Sequence, residues 1–158
     1  MQRLNFPTGD FRFKNSENKV SIFDRIRKKF VILTPEEWVR QHAVHYLEKE
    51  LNYPLSLINV EKMIKVNGLT RRFDIVVFSR TGAIEILVEC KAPEIAITQS
   101  VFDQAARYNL TTGARFLMLT NGIQHYTCSV NHEASRYDFL PALPAYAAPS
   151  PTTFAANS

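Results

Sequence analysis

Three strand-like segments separated by two glycine-containing turns constrain this chain more than any other feature of its sequence. The segments cover roughly residues 58–66, 71–79 and 84–91, and each is rich in apolar residues. Asn67-Gly68 and Thr81-Gly82 separate them, and such pairs between apolar runs are typical of tight hairpin turns. The pattern predicts a meander of three consecutive antiparallel strands.

Helices are predicted on both sides of this meander. Thr34-Pro35-Glu36-Glu37 has the order N-cap, proline and glutamate of a helix start, and the helix should run to about Leu51. Thr98 caps a second helix that Gly113 ends. Two last strands, over 115–120 and 123–128, are joined by Asn121-Gly122. The order αβββαββ predicts an α/β fold with a mixed central sheet flanked by helices.

The sequence divides into an N-terminal arm, a folded region and a C-terminal tail. Residues 1–19 are polar and interrupted by Pro7 and Gly9, so we expect a loosely attached arm or edge segment. Residues 20–140 contain all the predicted elements and should form one domain. Residues 141–158 are rich in Pro and Ala and poor in large apolar side chains, which predicts a flexible tail.

The composition argues against several classes of protein. The 158-residue chain has two cysteines, Cys90 and Cys128, in no CxxC pair, and four scattered histidines, so we expect neither a disulfide scaffold nor structural zinc. It has no apolar run of about 18 residues, the length of a membrane span. Its first residues do not resemble a signal peptide. We expect a cytoplasmic protein that does not contact membranes.

Positive charge is concentrated in the first half of the chain. Of the 19 Lys and Arg residues, 14 lie at or before Arg72. Clusters within residues 25–29 and at Arg71-Arg72 could meet the phosphates of nucleic acid. Runs of this kind are also common on ordinary solvated surfaces, so charge alone does not decide the function.

The segment Glu89-Cys90-Lys91, at the end of the third predicted strand, has the clearest chemistry. Successive strand residues point to opposite faces, so Glu89 and Lys91 share a face. If the loop at Thr81-Gly82 has two or four residues, Asp74 of the preceding strand lies opposite Glu89, whereas a three-residue loop would break this register. Two carboxylates and a lysine are therefore expected to converge.

Opposed carboxylates repel each other unless a cation lies between them, so Asp74 and Glu89 indicate a metal site. Hard oxygen ligands with open positions suit Mg²⁺, with Mn²⁺ as a substitute, better than zinc. Glu61 would face Asp74 across a two-residue turn at Asn67-Gly68 and is a weaker candidate for a further ligand. Lys91 would then place a positive charge near a scissile phosphate. The alternative is that these residues form ordinary salt bridges at strand ends.

Four segments, in this order along the chain, resemble one family of nucleases. They are Thr34-Pro35-Glu36-Glu37-Trp38-Val39-Arg40-Gln41, Val88-Glu89-Cys90-Lys91-Ala92-Pro93, Asp103-Gln104-Ala105-Ala106-Arg107-Tyr108-Asn109 and Leu119-Thr120-Asn121-Gly122. The arrangement resembles the PD-(D/E)XK nuclease superfamily and, more narrowly, the N-terminal nuclease domain of the motor (R) subunit of type I restriction enzymes. The resemblance covers roughly residues 20–130 and implies a restriction-endonuclease-like fold.

The resemblance also implies roles for individual residues. Asp74 and Glu89 would bind the metal, Lys91 would be catalytic, and Glu36 or Glu37 on the first helix would complete the site. Glu37 has an alternative role as the capping-box partner of Thr34. Gln104 and Tyr108, one helical turn apart, match the Gln-xxx-Tyr element that positions substrate in some members; the alternative is a hydrogen-bonding pair between surface and core. DNA and other restriction–modification subunits are the implied partners.

Two departures from the family pattern limit the functional hypothesis. Phe73 stands where the superfamily's name has proline, and the sequence has no GxxxxGK[ST] phosphate loop, so we expect no ATP-driven motor in this chain. The first hypothesis is a Mg²⁺-dependent DNA endonuclease that leaves a 5′-phosphate and a 3′-hydroxyl. The second is a catalytically quiet nucleic-acid-binding or complex-assembly module, and the third is a small-molecule hydrolase that uses the same carboxylates.

Overall fold

The computed structural model describes residues 1–147, which form a large and a small β-sheet together with helices. The elements, in chain order, are β1 (Phe13–Ser16), β2 (Lys19–Asp24), β3 (Lys29–Ile32), α1 (Pro35–His45), β4 (Ile58–Val66), β5 (Leu69–Phe78), β6 (Ile84–Cys90), α2 (Gln99–Asn109), β7 (Phe116–Thr120), β8 (His125–Asn131) and β9 (Arg136–Leu140). A π-helical turn over Tyr46–Glu50 continues α1, and a 3₁₀ turn over Leu110–Thr112 follows α2. The predicted order αβββαββ is confirmed from α1 to β8.

The central sheet has six strands in the order β4-β5-β6-β7-β8-β9. Neighbouring strands are antiparallel except β6 and β7, which are parallel and are connected through α2. One face packs against α1, where Val39 and Leu47 contact a cluster that includes Ile86. The other face packs against Phe102 and Ala106 of α2. The predicted mixed sheet flanked by helices is confirmed.

The helix starts follow the predicted caps. Thr34 Oγ1 accepts a hydrogen bond from the Glu37 backbone N–H at 3.0 Å, and Thr98 Oγ1 accepts one from Val101 N–H at 3.2 Å. After α2, Gly113 has a φ of 80°, which only glycine adopts without steric cost. Both helices therefore begin where a local cap favours it, and the second also ends at a glycine.

The small sheet, with strand order β1-β2-β3, lies against α1 and was not predicted from the sequence. Ile22 is fully buried, and the carboxylate of Asp24 accepts a hydrogen bond from the Gln41 amide at 3.1 Å. The turn between β1 and β2 is built from Glu17 and Asn18, both with positive φ, instead of the glycine pair that marks a hairpin. Residues 1–19, expected as an arm or edge segment, supply the edge strand β1.

Residues 141–147, expected to begin a flexible tail, pack onto the body of the protein instead. Leu143 is buried in the α1-side core, the Tyr53 hydroxyl donates to Pro144 O at 2.9 Å, and Tyr146 N–H donates to Leu51 O at 2.7 Å. Leu143 and Tyr146 bring the apolar area that an ordered segment needs. The rest of the expected tail, residues 148–158, lies outside the described residues.

Candidate active site

The hairpin registers place the three strand carboxylates side by side. In β4–β5, Lys62 pairs with Phe73 and Val60 with Ile75, so Glu61 lies opposite Asp74. Asn67 and Gly68 have φ values of 50° and 80°, as a two-residue type I′ turn requires. In β5–β6, Ile75 pairs with Val88, so the next positions are Asp74 and Glu89. Both register predictions are confirmed.

The loop between β5 and β6 differs from the prediction even though the register holds. Ser79 N–H donates to Ala83 O at 2.7 Å, so the loop has three residues, and the prediction of a two- or four-residue loop is wrong. A β-bulge between Val77 and Phe78 supplies the extra residue that restores the register. The site therefore depends on a bulge at the opposite end of the strand.

The side-chain alternation of β5 breaks at Asp74. Phe73 and Ile75 would share a face in a regular strand, but Phe73 packs on the α2 side and Ile75 on the α1 side. Glu61, opposite Asp74, has a φ of 52°. The irregularity lets Asp74 connect two elements: its Oδ2 accepts a hydrogen bond from Cys90 N–H at 2.8 Å, and its Oδ1 accepts one from Arg40 at 3.2 Å.

The carboxyl group of Glu89 converges on that of Asp74. Burial, together with the negative charge of Asp74 and a hydrogen bond to its side chain, raises the pKa of Glu89 to about 8, although Lys91 opposes the shift. The direction of the pKa shift follows from burial and from the two carboxyl groups being held close together, where the charge of Asp74 opposes ionisation of Glu89. This electrostatic strain is typical of groups held together for a function.

Arg40 is the site residue that sequence reasoning missed. Its guanidinium contacts Glu61 at 2.7 Å, Glu37 at 2.9 Å and Asp74 at 3.2 Å, and its side chain is 8% exposed. Burial alone would lower the pKa of Arg40, but the surrounding carboxylates raise it. Its spacing from Glu36 and Glu37, four and three residues along α1, was the available signal, because such neighbours share a helix face.

The two candidate glutamates of α1 have different surroundings. Glu37 is buried, and its carboxylate accepts hydrogen bonds from Arg27 at 2.6 Å, Arg40 at 2.9 Å and Gln41 at 3.2 Å. It therefore belongs to a buried ion-pair network, and its side chain does not act as a capping-box partner. Glu36 is half exposed, and burial together with the charge of Asp74 raises its pKa. Glu36 is the one that faces the open side of the site.

Lys91, Gln104 and Tyr108 line one groove with Glu89 and Arg72, of about 210 Å³. Lys91 is held by its backbone N–H, which donates to Thr120 O at 2.8 Å. The Tyr108 ring packs edge-on against Phe73 with 5.7 Å between centroids. The structure thus brings together Asp74, Glu89, Lys91, Glu36, Glu61, Gln104 and Tyr108, and keeps Glu37 in the network below them.

The side chains of the site supply only some of the ligands that a hard divalent cation needs. Within residues 1–147, no group of three or more His, Cys, Asp or Glu side chains is arranged to enclose a metal ion. Mg²⁺, however, keeps several waters and is commonly held by one or two carboxylates plus substrate phosphates. The partly buried, mutually repelling pair of Asp74 and Glu89 meets that requirement, so these residues fit Mg²⁺.

A mixed sheet covered by a helix on each face, with Asp and Glu-x-Lys on adjoining strands, is the arrangement of PD-(D/E)XK nuclease-like domains. The chain matches the family described as type I restriction enzyme R protein N terminus over residues 35–144. It belongs to that family. The resemblance inferred from the four sequence segments is confirmed.

Solved structures that are similar to this chain include the following two. One is a fragment assigned as an HsdR subunit of a type I restriction enzyme from Vibrio vulnificus YJ016, with 20% identity and a TM-score of 0.50; 72% of this chain and 24% of that one are covered. The other is a protein assigned as a DUF820 nuclease from Anabaena variabilis ATCC 29413, with 13% identity, a TM-score of 0.46 and coverage of 92% and 88%. This chain thus spans about a quarter of the HsdR fragment. No curated protein matches it.

Proposed function

We propose that this domain is a Mg²⁺-dependent endonuclease that hydrolyses DNA phosphodiester bonds within a restriction system. The convergence of the Asp74 and Glu89 carboxylates, with Glu89 and Lys91 lining one open groove, carries this proposal. Burying two acids together opposes folding, so a site that keeps both is expected to have a functional reason. Membership of the restriction R-subunit family supports DNA as the substrate and other restriction–modification subunits as partners.

The proposed reaction is an in-line hydrolysis. The oxygen of a water molecule bonds to phosphorus, the bond from phosphorus to the 3′ oxygen breaks, and a proton reaches the leaving oxygen through solvent, which gives a 5′-phosphate and a 3′-hydroxyl. Asp74 and Glu89 would hold Mg²⁺, which supplies Lewis-acid polarisation of the phosphate and a lowered pKa of water.

The other residues of the groove act on the substrate in this proposal. Lys91 stabilises the negative charge that develops on the phosphate. Gln104 and Tyr108 orient the DNA strand beside the carboxylates, because they lie along the same groove. Glu36 is the α1 acid that joins the site, since Glu37 is already occupied by Arg27, Arg40 and Gln41.

Plasmid cleavage tests the proposal directly. Supercoiled DNA incubated with the purified chain and Mg²⁺ or Mn²⁺ should be nicked or linearised, and EDTA should stop the reaction. Asp74→Ala should abolish both cleavage and Mg²⁺ binding measured by calorimetry. Asp138→Ala is the matched control, because Asp138 lies on β9 at the far edge of the same sheet and pairs with Arg136 at 3.3 Å. A wild-type chain that cleaves with no divalent metal would overturn the proposal.

A catalytically quiet nucleic-acid-binding or assembly module is the second candidate. The ion pair between Arg40 and Asp74 favours it, because Arg40 already neutralises one of the two carboxylates. DNA binding that persists in a chain with no cleavage under any divalent metal would support this candidate instead.

The cellular location stays a prediction. Within residues 1–147, no helix has the length and apolar character needed to cross a bilayer. A cytoplasmic location is proposed because DNA is the proposed substrate.

A further inference from the structure

The hairpin of β4 and β5 extends past the rest of the central sheet, beside the candidate site. β5 pairs with β6 only from Ile75 to Phe78. Its pairing with β4 continues further, to Val66 and Leu69 at the turn. Residues 61–73 therefore form a two-stranded projection, which we call the hairpin arm.

The hairpin arm is strongly basic. It contains four cations, Lys62, Lys65, Arg71 and Arg72, and a single acid, Glu61. Lys65 is exposed, and the Arg72 side chain is 66% exposed even though it pairs with Glu61 at 3.1 Å. Met63 and Leu69 are also exposed, at 57% and 59%. A positive, partly apolar ribbon of this kind is complementary to a polyanion.

One face of the arm is continuous with the candidate site. Arg72 lies opposite Met63, and Thr70 lies opposite Lys65. Strand alternation within the arm places these two pairs on one face. Arg72 connects that face to the base of the arm, because it pairs with Glu61, which shares the Arg40 guanidinium with Asp74. Thr70 is four residues from Asp74, or about 13 Å along an extended strand. Arg72 also lines the groove with Glu89 and Lys91.

We propose that the hairpin arm binds duplex DNA next to the scissile bond, with Arg72 and Lys65 contacting backbone phosphates on one side of it. This inference rests on the proposed function and names the surface that holds its substrate. Charge complementarity favours a phosphate backbone, and a two-stranded β-ribbon is narrow enough to enter the major groove of B-DNA. The other face of the arm is directed to α2, where Arg71 stacks on the Tyr108 ring at 4.0 Å.

DNA affinity measured at several salt concentrations tests the arm. A fluorescein-labelled duplex of about 30 base pairs is titrated with protein in EDTA, so that cleavage does not interfere, and binding is followed by anisotropy. Removing one cation that neutralises a phosphate reduces the slope of log affinity against log salt by about 0.9. Lys65→Ala with Arg72→Ala should therefore reduce the slope by about 2 and weaken binding roughly 50-fold at 0.1 M salt.

Two comparisons separate the arm from charge in general. The control variant, Lys49→Ala with Arg80→Ala, removes the same charge about 20 Å from the site. Lys49 is 13 residues beyond Glu36 along helical backbone, and Arg80 lies past the far end of β5. This control should change the slope of log affinity against log salt by less than about 0.9, the contribution of one phosphate contact. Lys62→Ala, on the opposite face of the arm, should reduce the slope by less than Lys65→Ala.

The outcomes are distinguishable from those of the proposed function. If the Lys65→Ala, Arg72→Ala variant binds like the Lys49→Ala, Arg80→Ala control, the arm does not hold DNA, whether or not the wild type cleaves plasmid. If wild type does not cleave but its DNA binding depends on the hairpin arm, the endonuclease assignment fails and the proposed DNA-binding role of the arm is supported. Lys65→Ala alone repeats the test without breaking the ion pair between Arg72 and Glu61.

Discussion

Replacing Glu89 by glutamine should stabilise the metal-free protein at alkaline pH. The pKa of Glu89 is raised from its ordinary value of 4.5 to about 8 in the folded chain, because the group is buried beside Asp74. A raised folded pKa contributes stability that is fully present below about pH 4.5 and is lost as the pH rises through about 8. Glutamine is neutral and of similar size, so it removes this loss.

The magnitude follows from the shift. Each unit of difference between the folded and unfolded pKa values of Glu89 corresponds to about 1.4 kcal/mol of stability. Most of the interval between these two pKa values lies between about pH 5 and pH 8. The stability gained by Glu89→Gln over wild type should therefore grow by about 3 kcal/mol across this range, starting below about 1 kcal/mol at pH 5. For a chain of this length that is a difference in Tm of about 6–12 °C.

Urea unfolding in EDTA, at half-unit steps from pH 5 to pH 8, measures the effect. Titrating groups that do not interact with Glu89 are common to both proteins and cancel in the difference. Asp138→Asn is the control, since exposed Asp138 lies on β9 of the same sheet and pairs with exposed Arg136. A stability difference between Glu89→Gln and wild type that stays constant from pH 5 to pH 8 would refute the placement of Glu89 against Asp74.

Three further predictions concern single side chains. Lys91→Ala should leave Mg²⁺ affinity in calorimetry unchanged and slow plasmid cleavage about a hundredfold, because a charged lysine binds no cation but stabilises developing charge; cleavage at the wild-type rate would contradict this. Arg40→Met should lower the free energy of unfolding by about 3 kcal/mol in urea, because partly buried Asp74 loses its cation and buried Glu37 keeps only Arg27 of the two arginines that it contacts. Gly122→Ala should lower Tm more than Gly68→Ala. Both glycines have positive φ, but an added Cβ would lie 2.8 Å from Leu4 at Gly122 and would meet nothing within 4 Å at Gly68. Equal decreases in Tm would rule out the contact with Leu4.

Local sequence signals were enough for the elements around the site. Asn67-Gly68 encodes a two-residue turn because glycine and asparagine tolerate positive φ, and that turn alone sets Glu61 opposite Asp74. The Thr34 and Thr98 caps placed both helices for the same reason, since a cap depends on residues within one turn. The pairing of Asp74 with Glu89 was also correct, although it depended on a bulge that no residue type announces.

Longer-range contacts decided the rest. Glu36 and Glu37 are adjacent and chemically identical, and only the packing of β2 and Arg27 against α1 sends one into a buried network and leaves the other at the open site. In the sequence, Arg40 looks like any surface residue of a helix. Only the fold brings Glu61 of β4 and Asp74 of β5 against it. The small sheet and the packing of Leu143 also depend on surfaces made by distant elements. The Asn67-Gly68 turn and the two helix caps are determined by neighbouring residues, so the sequence alone predicted them. Burial and charge pairing arise from chain segments far apart, so only the tertiary structure decided them.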